Sequence, residues 1–280
     1  MGGFGIVFSG GIGKGAYELG FCRAFQALVP MERVNSVSAS SVGCINAYAF
    51  ASQQLPVVEE IWRNADYKNM REFYNNLIKR PVILNYVDGF RDDAEPIPYP
   101  MIVNCIQVPS LKLKYIDISK MPTEKQKLML KACISIPTVM SPITIEGKKY
   151  LDGAMLDNTP VGALKKMDCD VIFVLRFDHC VEDYSMIPKE STIVEVVFKD
   201  EHFIKNSFAL DSGSTGFMIQ QGEAYASEVL EKVLKHGFED KEYFKYAATL
   251  FNRGSKGSIL PKNGDDFVRK FNKLTKIFRP

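Results

Sequence analysis

From Phe4 to Gly43 the chain alternates short β-branched or aromatic runs with helical stretches. A strand is predicted near Phe4–Phe8, a helix near Ala16–Leu28, a strand near Val34–Ser38 and a second helix from Gly43. Strands separated by a helix pair in parallel through a crossover, so this stretch constrains the fold to an α/β class with a mostly parallel sheet. Val171–Phe177 is apolar throughout, as in a strand buried on both faces. Met101–Gln107 and Leu113–Ile118 continue the sheet, a helix near Glu124–Cys133 ends before Pro137, and Ile143–Leu151, broken at Glu146-Gly147, predicts a hairpin running into Asp152-Gly153. A short helix follows Pro160, Ile193–Phe198 is a further strand, and Phe217–His236 places Tyr225, Val229, Val233 and Leu234 on one helical face. Residues 52–100 differ in texture: Trp62, Phe73, Tyr74 and Tyr86 lie among charged and amide residues, and the stretch leaves through Pro96, Pro98 and Pro100, which predicts a helical cap. With no repeat and no linker-like tract, the expectation is a single domain over 1–280, with a core of about 4–210, a cap of about 52–100 and C-terminal helices of about 215–280.

Composition narrows the function. At 280 residues and 46% hydrophobic content the chain can bury a full core. Lys+Arg 35 against Asp+Glu 33 leaves a net charge of +2, too little to bind nucleic acid by displacing counterions. Cys22, Cys44, Cys105, Cys133, Cys169 and Cys180 form no Cys-x-x-Cys pair and interleave with no histidines at zinc spacing. They are expected to be reduced core residues, and no metal is expected. Met1 runs into Gly2-Gly3 and the first strand with neither a basic start nor a long apolar run, so the expected location is cytoplasmic, with export by a signal-less route left open.

Three strings carry chemistry. In Ala39-Ser40-Ser41-Val42-Gly43 a strand turns into a helix within a few residues, and a nucleophile at such a bend needs small neighbours two positions away on each side. Only Ser41 has glycine at the +2 position; the start of the next helix would place a positive dipole end beside its oxygen. Taken alone, the string also fits a Ser-rich helix cap. Gly10-Gly11-Ile12-Gly13-Lys14-Gly15 offers backbone N–H groups unobstructed by side chains, suited to an oxyanion hole. A Walker A loop is excluded, since Phe8 stands where it needs glycine and Gly15 where it needs Ser or Thr. Gly11-x-Gly13-x-x-Ala16 fits a dinucleotide fingerprint better, but the second strand ends in Ser38-Ala39-Ser40 with no carboxylate to hold a ribose. The third string is Leu151-Asp152-Gly153-Ala154 with Asp157-Asn158-Thr159-Pro160. It is either a turn or the seat of a general base, and as a base Asp152 needs a partly desolvated site.

In this order, Gly-Gly-Ile-Gly-Lys-Gly, Ser-Ser-Val-Gly-Cys-Ile-Asn-Ala and Leu-Asp-Gly-Ala with Asn158-Thr159-Pro160 resemble the patatin-like phospholipase family. Ala132–Pro137 and Asp170–Val174 extend the likeness, which covers about residues 4–180. The resemblance implies a three-layer α/β/α fold and hydrolysis of a lipid or other acyl ester. It also implies a Ser–Asp dyad without histidine or cofactor: Ser41 as nucleophile, Asp152 as base, and the amides of Gly10, Gly11, Ile12 and Gly13 as the oxyanion hole. The chain departs from the family pattern at Ile12, Ala39 and Ala154, each in a glycine position. Ile12 matters most, because a β-branched residue resists positive φ, and reduced activity is expected from it. Lys14 matches the family's basic position and equally fits a solvated loop lysine. The alternatives are a binding module with a weakened oxyanion loop, an oxidoreductase using Gly11–Ala16, and a triad completed by His179. His202 and His236 have no visible partner. Asp265–Pro280 places Phe267, Phe271, Leu274 and Phe278 on one helical face among basic residues, which suits either packing on the domain or a peripheral contact with an anionic membrane.

Overall fold

In chain order the protein forms β1 (Phe4–Phe8), α1 (Gly15–Leu28), β2 (Val34–Ala39), α2 (Gly43–Ala51), α3 (Leu55–Arg63), the single turn α4 (Met70–Glu72) and α5 (Val82–Asp88). There follow β3 (Met101–Val108), β4 (Lys112–Asp117), α6 (Thr123–Cys133), β5 (Ile143–Ile145), β6 (Lys148–Asp152), β7 (Val171–Arg176), β8 (Thr192–Val197), α7 (Ser212–Val233) and α8 (Lys241–Phe251). This architecture is that of a computed structural model, which describes residues 3–66, 70–72, 75, 82–177, 184–198 and 211–252. His179, His202, Cys180 and the basic segment 265–280 lie outside the described residues.

The strands make one eight-stranded sheet. β1 lies near its centre, parallel to β2 on one side and to β7 on the other; β3 extends the parallel part beyond β2, and β8 extends it beyond β7. β4, β5 and β6 add antiparallel pairs around β3. The period-two alternation of β1 sorts its side chains between two layers. Phe4, Ile6 and Phe8 join the core built with α1 and α2, whereas Val7 packs with Ile172, Val174 and Leu164 on the opposite face. Each of these fully buried apolar side chains contributes about 1.5–3 kcal/mol. The result is the three-layer α/β/α arrangement with a mostly parallel sheet.

The helix α7 begins at Ser212, earlier than its apolar periodicity suggests, because a capping box fixes its start. Asp211 accepts a bond from Ser214 N at 2.7 Å, and Ser214 Oγ accepts one from Asp211 N at 3.0 Å. α7 then crosses α1 at very short range. A Cβ on Gly20 would lie 2.3 Å from Ile219 O, and one on Gly222 would lie 2.3 Å from Tyr17 O. Among the described residues no helix is long and apolar enough to cross a membrane.

Candidate active site

The register of β3 explains how two residues far apart in sequence meet. β4 covers one edge of β3 from Ile102 to Gln107, so β2 and β6 must share the other edge. β2 pairs with Met101–Val103 and runs parallel to β3, while β6 pairs with Cys105–Val108 and runs against it. Their C-terminal ends therefore approach each other along one edge and converge at Asn104. The chain leaves β2 at Ala39 and turns at Ser41; β6 ends on Asp152. Ser41 Oγ donates to Asp152 Oδ2 at 2.6 Å.

The bend at Ser41 is as tight as its sequence suggests. Ser41 holds φ at 51°, Gly43 N donates to Ser40 O at 3.0 Å, and α2 starts at once. Glycine at position 43 is a steric requirement here, since a Cβ there would lie 2.8 Å from Ser9 O. Asp152 is held as firmly. Its Oδ1 accepts from Ala154 N at 2.8 Å, and its own N–H donates to Ser135 O at 2.9 Å. It is 4% exposed. Cys105 is its register partner on β3, and the Cys105 thiol lies 3.3 Å from that of Cys133, so weakly polar sulfur surrounds this side of the carboxyl group. Burial pushes the Asp152 pKa up to about 7, with the bonds from Ser41 and Ala154 pulling the other way. Cys22, Cys44, Cys105, Cys133 and Cys169 are all free and buried, in keeping with reduced core cysteines.

The glycine loop does not offer its four amides equally. Gly10 N donates to Asn158 O at 3.1 Å and Gly10 O accepts from Asn158 Nδ2 at 2.9 Å, so this residue is clipped to the loop after Asp152. The same clip places Gly10 against the serine, and a Cβ there would lie 2.9 Å from Ser41 Cβ. The amides of Gly11, Ile12 and Gly13 have no acceptor among the described residues. Ile12 holds φ at 52° and so presents its N–H as a glycine would, at a strain of about 1–3 kcal/mol. Lys14 is not a solvated loop lysine: it is 3% exposed, with Nζ 5.2 Å from the centre of the Phe177 ring. Phe177 also covers Gly11, where a Cβ would lie 2.4 Å from Cε2 of that ring. The close approaches these glycines permit are thus to protein atoms, which speaks against a pyrophosphate on the loop.

Several site residues were not singled out from the sequence. The main-chain carbonyl of Asp157 accepts from Ser40 Oγ at 3.1 Å and from Asn104 Nδ2 at 2.5 Å; its carboxylate accepts from Tyr115 OH at 2.5 Å. Ser9 Oγ donates to Leu175 O at 2.6 Å, and Ser38 Oγ to Pro160 O at 2.9 Å. With the 3.1 Å contact between Ser9 Oγ and Thr159 Oγ1, these bonds tie the 157–160 loop across the ends of β1, β2, β3 and β7. The only advance sign of this was the position of Asn158-Thr159-Pro160 shortly after Asp152.

A buried carboxyl group bonded to a serine on a strand-to-helix bend, beside a loop with open amides, is the arrangement that nucleophilic attack on an ester would require. The family model for patatin-like phospholipases matches residues 6–165, a span that includes all three parts, and the chain belongs to that family of lipid acyl hydrolases. Among solved structures, VipD from Legionella pneumophila is similar over 89% of this chain and 74% of its own, with 10% identity and a TM-score of 0.44. The type III effector protein ExoU is similar over 82% of this chain, with 14% identity and a TM-score of 0.37; the match spans 53% of that chain.

Proposed function

We propose that the protein hydrolyses phospholipids, lysophospholipids or related lipid esters through a Ser41–Asp152 dyad. The observation that carries this reading is the 2.6 Å bond from Ser41 Oγ to a carboxyl group whose burial brings its pKa near neutrality. A carboxylate of ordinary acidity is a poor base for a serine hydroxyl; one desolvated to this degree is far better matched. Asp152 takes the Ser41 proton as Oγ attacks the ester carbonyl carbon. The oxyanion that forms is held by the open amides of the loop, those of Gly11, Ile12 and Gly13, with Gly10 as the clip that sets their position. The N-terminal end of α2 adds a favourable dipole. Asp152 then gives its proton to the departing alkoxide, leaving an acyl group on Ser41. Water attacks that ester with Asp152 again as base, releasing the fatty acid and restoring the hydroxyl.

Treatment with a fluorophosphonate probe, read by intact mass, is expected to label the wild type once and the Ser41→Ala variant not at all. Hydrolysis of an ester series differing in chain length and head group should be lost in Asp152→Asn. A wild type that neither labels nor hydrolyses any lipid ester would favour the second reading, a binding module with this fold.

A further inference from the structure

Behind the dyad and the loop lies a buried chain of polar groups that the reaction as described does not use. Asn46 on α2 is fully buried, as is Glu18 on α1, and Trp62 on α3 is nearly so. Asn46 Nδ2 donates to Gly15 O at 2.9 Å and to Glu18 Oε2 at 2.8 Å, and Trp62 Nε1 donates to Asn46 Oδ1 at 3.0 Å. The chemistry of the neighbours fixes the orientation of the amide. An indole N–H only donates and a main-chain carbonyl only accepts, so Oδ1 must face Trp62 and both hydrogens of Nδ2 are used on α1. Space is allotted to the same contact, since a Cβ on Gly15 would lie 2.8 Å from Trp62 Cζ2 and 3.1 Å from Asn46 Nδ2.

α1 starts directly after the Gly10–Gly13 loop, and α2 starts directly after Ser41. We propose that Asn46 is a positioning residue for acyl transfer: by bonding the first turn of α1 to α2 it sets the separation between the open loop amides and the serine oxygen. The proposal rests on the dyad reading above. Few other side chains would serve. The bridge needs two donors and one acceptor at one point, and aspartate, of nearly the same shape, supplies no donors when ionised. The acceptor Glu18 is itself unusual. Burial holds its carboxyl well above the ordinary range, with the Asn46 bond pulling the other way, and among the described residues Oε1 has no hydrogen-bond partner. A residue retained at that cost, touching neither the serine nor its base, is explained by the contact it makes with Asn46.

The test is the rate constant of fluorophosphonate labelling together with the labelled fraction at completion, for wild type and Asn46→Asp with folding followed by circular dichroism. A misplacement of loop against nucleophile by an ångström is expected to slow labelling by about 10²-fold, with kcat falling in parallel, KM nearly unchanged and labelling still complete. Trp62→Phe removes only the N–H that orients the amide, and serves if Asn46→Asp does not fold; it is expected to slow labelling by a smaller factor with full final labelling. An unchanged rate constant in the folded variants overturns the proposal. So does an incomplete labelled fraction that reacts at the wild-type rate, which would mark a purely structural role. If the wild type itself fails to label at Ser41, the dyad reading falls first and this inference falls with it.

Discussion

Ser41 and Ile12 both hold φ near +50°, one at the bend and one in the glycine loop. For the serine the strain is part of exposing its oxygen; for the isoleucine it keeps an N–H pointed as glycine would point it. It follows that the direction of the amide, not the side chain, is what the loop needs at position 12. Ile12→Gly is therefore expected to label with fluorophosphonate within about 3-fold of the wild-type rate, whereas Ile12→Pro, which lacks the donor and cannot reach positive φ, is expected to lose about 10²- to 10³-fold. Equal rates for the two variants would remove position 12 from the oxyanion hole. Asp152 sets the pH dependence. Burial raises its pKa to about 7, and the ionised form is the base, so kcat/KM should climb tenfold per pH unit below about 7 and level off above it. A profile already flat from about pH 5 upward would mean that another group takes the serine proton.

At the scale of elements, two of the three glycines of α7 have opposite expected behaviour. At Gly222 an added Cβ meets the main-chain carbonyl of Tyr17 at 2.3 Å, so Gly222→Ala must push α7 off α1, at about 1–3 kcal/mol. At Gly216 the nearest atom is the end of the Arg63 side chain at 3.8 Å, and Gly216→Ala should stabilise by about 0.5–1 kcal/mol through helix propensity alone. Thermal melting of the two variants should shift in opposite directions; a common sign would contradict the close crossing. These elements also show what a sequence can reveal. The strands and most helices were legible because their apolar periods differ, and Ser41 and Asp152 because each sits in a short string with its own steric demand. The meeting of β2 and β6 on one edge of β3 was not legible, since it depends on two separate registers, Val37 against Met101 and Cys105 against Asp152, between strands far apart in the chain. For the same reason Asn104 reads as an ordinary polar residue, Asn46 and Asn158 show no sign of their bonds although each sits in a family-like string, and the four loop residues look equivalent until Asn158 claims Gly10. For Lys14 the sequence leaves the family's basic position and a solvated loop lysine equally open, because nothing local indicates that Phe177 covers it.

For the whole molecule, the buried acids give stability a definite dependence on pH. Glu18, Asp152 and Asp157 all have pKa values raised by burial. In the window between the unfolded and folded pKa values the unfolded chain has released these protons and the native protein has not. The native state then binds more protons, and stability falls as pH rises. Glu59 runs the other way: burial works against its charge, but the bonds from Arg23 and Arg63 outweigh it and hold its pKa down. It is partly exposed and its contribution is correspondingly screened. The net expectation is a protein less stable at about pH 8 than at about pH 5. Glu18→Gln isolates a buried contributor that is not in the dyad, because glutamine keeps an oxygen for Asn46 and cannot ionise. Near pH 4 both residues are neutral, in the native state and largely in the unfolded state, so wild type and variant should melt at similar temperatures. As pH rises past the unfolded pKa the unfolded wild type releases this proton before the native protein does, and the variant should become progressively the more stable of the two until the native pKa is passed. A difference that stays constant across the range would show that Glu18 titrates alike in the native and unfolded states, so that burial does not raise its pKa.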